Sequence, residues 1–182
     1  MDNILFKNKY RIKSTRLKDW DYSSNGGYFV TICTRNRECF FGDIENGTME
    51  LSVIGKIVSD EWIRTKQIRK NIELDEWVIM PDHFHGIVII NNDYIGCNVE
   101  THGHASLQTK HTNTFGPQSK NLSAIIRGFK GTTTKQIHLA GFYDFAWQPR
   151  FNEHIIRNEK ELNRIRTYIR NNPLKWELGR EI

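Results

Sequence analysis

Apolar and polar positions change their period several times along the chain, and each change marks an element. Tyr28-Phe-Val-Thr-Ile-Cys-Thr34, entered through Asn25-Gly-Gly27, is β-branched and aromatic and predicts a strand. Residues 36–47 read as a loop or hairpin. Leu51, Ile54, Val58 and Trp62 then recur at helical spacing and predict an amphipathic helix over 50–67. A second strand over 73–80 runs into Pro81-Asp82, and a third follows at once and continues through Ile87-Val-Ile-Ile90, so the two predict an antiparallel pair. From 91 to 119 the residues are mostly Asn, Gly, Thr, His and Gln without periodicity, which predicts a loop insertion. Leu122, Ile125, Ile126, Phe129 and Ile137 mark the buried face of a second helix, weakened locally by Gly128 and Gly131. A fourth strand is expected over 147–156. The last helix starts from Asn158, an N-cap with Glu159 and Glu161 in the first turn, carries the stripe Leu162, Ile165 and Ile169, and ends before Pro173. The order β-α-β-β-α-β-α predicts an α+β, ferredoxin-like fold of the split β-α-β kind. Its antiparallel sheet has helices on one face and an additional C-terminal helix. Many functions use this frame, so it decides none of them.

Composition narrows the class. At 182 residues the chain suits one domain with a core of its own. No apolar run reaches the length of a membrane span, and the N-terminus shows no signal core, so a cytoplasmic protein is expected. Three cysteines (Cys33, Cys39, Cys97), without C-x-x-C spacing, argue against a disulfide framework or a cysteine-built zinc site. The net charge of +5 and pI of about 9.1 suit a polyanionic partner without establishing one. Residues 1–24 carry Lys7, Lys9, Arg11, Lys13, Arg16 and Lys18 and read as a basic N-terminal arm, residues 25–176 as the main domain, and 177–182 as a tail.

The candidate chemistry begins with His83-Phe84-His85. Residues two apart on a strand share a face, so both imidazoles project side by side, as a pair of metal ligands or as one core and one surface histidine. By the same alternation Asp82 falls on the opposite face and is not read as a ligand. On the last helix Tyr168 and Asn172 stand four apart, one above the other. Asn172 precedes Pro173 and closes the helix, so the pair is either functional or a half-buried tyrosine with a terminating asparagine. A second H-x-H, His102-Gly-His104, with His111 nearby, lies in the aperiodic insertion, where nothing fixes the rings.

The stretches Gly27-Tyr-Phe-Val-Thr-Ile-Cys-Thr34, Trp77-Val-Ile-Met-Pro-Asp-His-Phe-His-Gly86, Trp147-Gln-Pro-Arg-Phe-Asn-Glu-His-Ile-Ile-Arg157 and Tyr168-Ile-Arg-Asn-Asn-Pro173 together resemble the HUH endonucleases. Within them the resemblance is to the single-tyrosine transposases, and most to the REP-associated tyrosine transposases. It implies His83, His85 and Asn172 as metal ligands and Tyr168 as the nucleophile on the C-terminal helix. The implied cofactor is a divalent ion, Mg²⁺ or Mn²⁺, which mixed nitrogen and oxygen ligands without thiolate also favour over zinc. The implied reaction is a transesterification on single-stranded, hairpin-containing DNA, with a 5′-phosphotyrosine intermediate and a 3′-hydroxyl leaving group. Arg127, Lys130, Lys135, Arg150, His154, Arg157 and Arg164 are read as a DNA-binding frame around the site. The rival readings are a non-cleaving DNA-binding protein and a phosphodiesterase that uses water. The partner is DNA, not membrane, and the protein is expected as a nucleoid-associated monomer or homodimer. Two positions depart from the family pattern: Asp82, where asparagine is expected, and Asn152, where an aromatic residue is frequent.

Overall fold

The computed structural model describes residues 17, 20–92 and 120–179. Most of the basic arm, nearly all of the 91–119 insertion with His102, His104 and His111, and residues 180–182 lie outside the described residues. In chain order the elements are β1 (Gly26–Cys33), the hairpin strands β2 (Gly42–Glu45) and β3 (Thr48–Leu51), α1 (Val53–Ile68), β4 (Ile72–Met80), β5 (His83–Ile90), α2 (Leu122–Leu139), β6 (Asn152–Ile156), α3 (Glu159–Arg170) and α4 (Asn172–Glu177).

The main sheet has the order β4-β5-β1-β6, each neighbouring pair antiparallel. β1 and β4 run parallel but are separated by β5, and β5 and β6 by β1, which is the split β-α-β arrangement of an α+β, ferredoxin-like fold. Each long helix begins where a side chain accepts an otherwise orphaned backbone N–H. Ser52 Oγ takes that of Gly55 (3.0 Å), Asn121 Oδ1 that of Ala124 (2.9 Å) and Asn158 Oδ1 that of Glu161 (2.9 Å).

Alternation along β5 assigns the two faces of the sheet. Phe84, Val88 and Ile90 enter the main core with Trp62 of α1 and Ile125 and Phe129 of α2. Ile87 joins Ile165 and Ile169 of α3 in a second cluster on the other face, to which Phe29 and Tyr168 belong. Gly86 makes the first face possible: a Cβ there would lie 2.8 Å from both the Phe84 and the Trp62 ring, whose centroids are 4.5 Å apart.

Several boundaries differ from the sequence reading. Leu51 closes β3 instead of entering the first helix, because Asn46 and Gly47, both at positive φ (52° and 73°), make the type I′ turn of a two-residue hairpin. The fourth strand begins at Asn152, with Trp147 making only an isolated bridge to Thr34. Arg150 sits between them in the left-handed region (φ 71°). Asn172 does not close α3. Asn171 caps that helix, and Asn172 opens α4 with Pro173 just inside it, a position where the missing N–H costs nothing. Glu177, expected in the tail, is the last residue of α4, and its Oε1 accepts the Asn46 N–H at the hairpin tip (2.9 Å).

α3 is fastened to the edge strand β4. A register shift between Leu74 and Trp77 turns Asp75 and Glu76 toward the helix. Arg166 grips Asp75 through both carboxylate oxygens (2.9 and 2.6 Å), and Arg170 pairs with Glu76. These hydrogen bonds from Arg166 hold the Asp75 carboxyl below its usual range. The two arginines flank Tyr168, two residues away on either side, so the pairs fix how the helix presents it.

Candidate active site

His83 and His85 both leave β5 on the α3 side, and both are nearly buried (6% and 5% exposed). Their Nε2 atoms face each other at 3.1 Å. Each ring is held from behind through Nδ1. His83 Nδ1 meets Asp82 Oδ1 at 2.5 Å, and Asp82 Oδ2 in turn receives Arg37 Nε at 2.7 Å. His85 Nδ1 meets the hydroxyl of Thr31, its register partner on β1, at 2.8 Å. A carboxylate only accepts, so His83 Nδ1 bears a proton and donates it to Asp82. The Thr31 hydroxyl both donates and accepts and therefore supports either tautomer of His85.

Asp82 is thus misread by alternation. It lies in the turn after β4, where the period of two no longer applies, and it is buried (3% exposed) against His83. Its two oxygens are taken up by His83 and Arg37, so it holds the His83 ring from behind as Thr31 holds that of His85.

Tyr168 stands over the pair. Its hydroxyl is 3.3 Å from His85 Nε2, and its ring meets those of His85 (5.3 Å, 67°) and Phe29 (6.0 Å, edge-on), while Phe29 stacks on His85 (5.2 Å). Burial, with His83 and Arg37 adding to it, pushes the His85 imidazole down to about 3. His85 is therefore neutral across ordinary pH. The Tyr168 hydroxyl at 3.3 Å is held beside this neutral ring. The Lys175 ammonium of α4 lies over the tyrosine ring, 5.6 Å from its centroid. Among the described tyrosines, Tyr28 is wholly buried in the main core and Tyr143 is exposed. Tyr22 accepts the Leu17 N–H.

Asn172, 8% exposed, is one turn before Trp176 on α4 and shares its face. The Trp176 ring lies against His83 (5.9 Å). Glu177 ties this helix to the hairpin tip.

The residues suit a divalent ion. Two nitrogens each ~2.1 Å from an ion stand ~3.0 Å apart across a right angle and ~3.4 Å across a tetrahedral one, and the 3.1 Å between the Nε2 atoms falls in that interval. Both Nδ1 atoms already have partners, the usual arrangement behind metal-bound histidine. Among the described residues no group of three or more His, Cys, Asp or Glu side chains could hold a metal ion.

The basic residues divide. Arg127, Lys130 and Lys135 are on α2, which covers the face of the sheet away from the histidines, so they do not frame the site. Lys130 is moreover committed to structure: its ammonium donates to the carbonyls of Gln148 and Arg150 (2.7 and 2.9 Å), and burial pushes its pKa down. His154, paired with Phe29 on the site face, meets Glu161 Oε1 at 2.7 Å. The Arg157 backbone N–H donates to the same carboxylate, and Arg164 reaches it loosely at 3.8 Å. Arg164 is the member of the expected frame that lies beside Tyr168, in the wall of a hollow that Tyr168 also lines.

No family model matches the chain. A Haemophilus influenzae (strain Rd) protein, described as uncharacterized, is 39% identical over 167 residues, which is 91% of this chain and 89% of that protein. The chain belongs to that protein's family. The REP-associated tyrosine transposase of Escherichia coli (strain K12) is 27% identical over 154 residues, 85% of this chain and 70% of its own length. The solved structure of a REP-associated tyrosine transposase bound to a REP hairpin shares the fold, with a TM-score of 0.57 and 24% identity over 90% of this chain and 74% of that one. The family thus has a more distant transposase relative and a transposase's fold. Among the described residues no helix is long and apolar enough to cross a membrane.

Proposed function

We propose that the protein is a metal-dependent, single-tyrosine DNA endonuclease and transposase of the HUH type, acting on single-stranded DNA with hairpins. The observation that carries this reading is the Tyr168 hydroxyl 3.3 Å from His85 Nε2, beside two imidazoles whose Nε2 atoms converge. Tyr168 Oη attacks the scissile phosphorus. An O–P bond forms to tyrosine as the phenol proton passes to solvent, the P–O3′ bond breaks, and the departing oxygen takes a proton from solvent and leaves as a 3′-hydroxyl. The 5′-phosphotyrosine conserves the ester bond for rejoining. His83, His85 and Asn172 would hold Mg²⁺ or Mn²⁺. The chemistry such an ion supplies is Lewis-acid neutralisation of charge on a non-bridging phosphate oxygen. Asp82, Arg37 and Thr31 keep the two imidazoles aimed, and the Asp75–Arg166 and Glu76–Arg170 pairs keep α3 in place. The reading places the protein with DNA in the cytoplasm, as a monomer or a homodimer. The relative named as a REP-associated tyrosine transposase supports it.

The test is incubation with a labelled hairpin oligonucleotide and Mn²⁺. A covalent protein–DNA species absent from Tyr168→Phe is expected. Binding without an adduct would mean a protein that no longer cuts, and free hydrolysed product would mean that water is the nucleophile.

A further inference from the structure

Four cations of the C-terminal helices lie near Tyr168, and they are used in two ways. Arg166 and Arg170 are consumed by Asp75 and Glu76. Arg164 and Lys175 border the other side of the helix, where Asn163, Arg164, Thr167, Tyr168, Asn171 and Lys175 line an open hollow of about 570 Å³. None of these six is acidic. Arg164 is 75% exposed and only loosely tied to Glu161, whose carboxylate already takes His154 and the Arg157 N–H. Lys175 makes no ion pair among the described residues, and its contact is the Tyr168 ring. Its ammonium is 5.6 Å from the ring centroid, with the helix break at Asn171–Asn172 between the two residues.

A positive, hydrogen-bond-donating hollow that opens beside a phenol is suited to a phosphate. Lys175 is a compact charge on a flexible stem that can follow the phosphate as it moves, and Arg164, one turn before Tyr168, lies at the other end. We propose that Lys175 binds the DNA phosphate presented to Tyr168, with the Arg164 side of the hollow receiving the strand that leads to it. The proposal rests on the reading of Tyr168 as nucleophile and names the residue that docks its substrate.

The test separates the two ideas. In a Tyr168→Phe background, affinity for a hairpin oligonucleotide with single-stranded flanks is measured from low to high salt, with and without Lys175→Met, which keeps the stem over the ring but removes the charge. One lost phosphate contact lowers the steepness of log affinity against log salt by about 0.7. With Tyr168 intact, Lys175→Met is expected to slow adduct formation on the order of tenfold or more at saturating DNA, and Lys175→Arg to restore both readings. A role in packing alone would leave the salt slope unmoved. An unchanged slope with an unchanged adduct rate overturns the proposal while leaving Tyr168 as the nucleophile. A changed slope in a protein that never forms an adduct leaves the phosphate contact standing and removes the proposed function.

Discussion

Replacing Asp82 with alanine separates what holds the histidine pair from what merely surrounds it. Asp82 is 3% exposed and bonded on both oxygens, to His83 Nδ1 at 2.5 Å and to Arg37 Nε at 2.7 Å. Alanine leaves a buried Nδ1–H without an acceptor, which costs about 1.5–3 kcal/mol of folding stability for a bond to a charged group. The Arg37 side of the pair is half exposed and adds less than about 1 kcal/mol. The second consequence is specific to the site. Without the carboxylate nothing fixes which His83 nitrogen carries the proton, and loss of such a partner typically weakens metal binding about 10–100-fold, or roughly 1.4–2.7 kcal/mol. Asp82→Asn keeps an oxygen for Nδ1 but loses the charge, and should fall between the two. Calorimetric titration with Mn²⁺ reads the affinity, and urea denaturation of the ion-free protein reads the stability. If Asp82→Ala loses stability yet binds Mn²⁺ as tightly as the unaltered protein, the Asp82–His83 contact serves the fold alone and the metal site is misassigned.

Other consequences follow from the same contacts. Gly86→Ala forces a Cβ to 2.8 Å from the Trp62 and Phe84 rings and should cost about 1–3 kcal/mol by overpacking, read as a lower denaturation midpoint at constant slope; an unchanged midpoint would mean that the two rings are not packed as described. His85 is held down to about 3 in the folded protein against 6.5 for a free histidine, so between those values the unfolded chain binds more protons. Stability of the ion-free protein should therefore fall as pH drops through that window, and His85→Gln should flatten the decline; an equal decline in both would place its origin elsewhere. Asp75→Ala frees Arg166, and the melting temperature and adduct rate should fall together; the charge exchange Asp75→Arg with Arg166→Asp should recover part of both.

The histidine strand was legible because β5 is buried on both faces and keeps strict alternation, so the shared face of His83 and His85 followed from their spacing alone. The same rule failed one residue earlier. Asp82 belongs to the turn, where backbone direction and not parity decides where a side chain points. Tyr168 is legible as a residue of the last helix, but Lys175 lies behind Pro173, which reads as a helix stop although proline equally opens a helix. Lys130 looked free because a periodic reading sees its own helix and not the carbonyls of Gln148 and Arg150, eighteen and twenty residues on. The signal for the hairpin that braces α4 was present in Asn46-Gly47, flanked by Ile44 and Met49. The sequence leaves loop and hairpin both open because the flanking strands are only four residues each.

The most direct measurement is to locate the bond. After reaction with a hairpin oligonucleotide and Mn²⁺, and digestion of the DNA, trypsin cutting after Arg166 and Arg170 releases the peptide Thr167-Tyr-Ile-Arg170. Mass spectrometry should find that peptide carrying a nucleotide through phosphate on Tyr168. A nucleotide found on another residue, or cleaved DNA with this peptide unmodified throughout the reaction, would contradict the account.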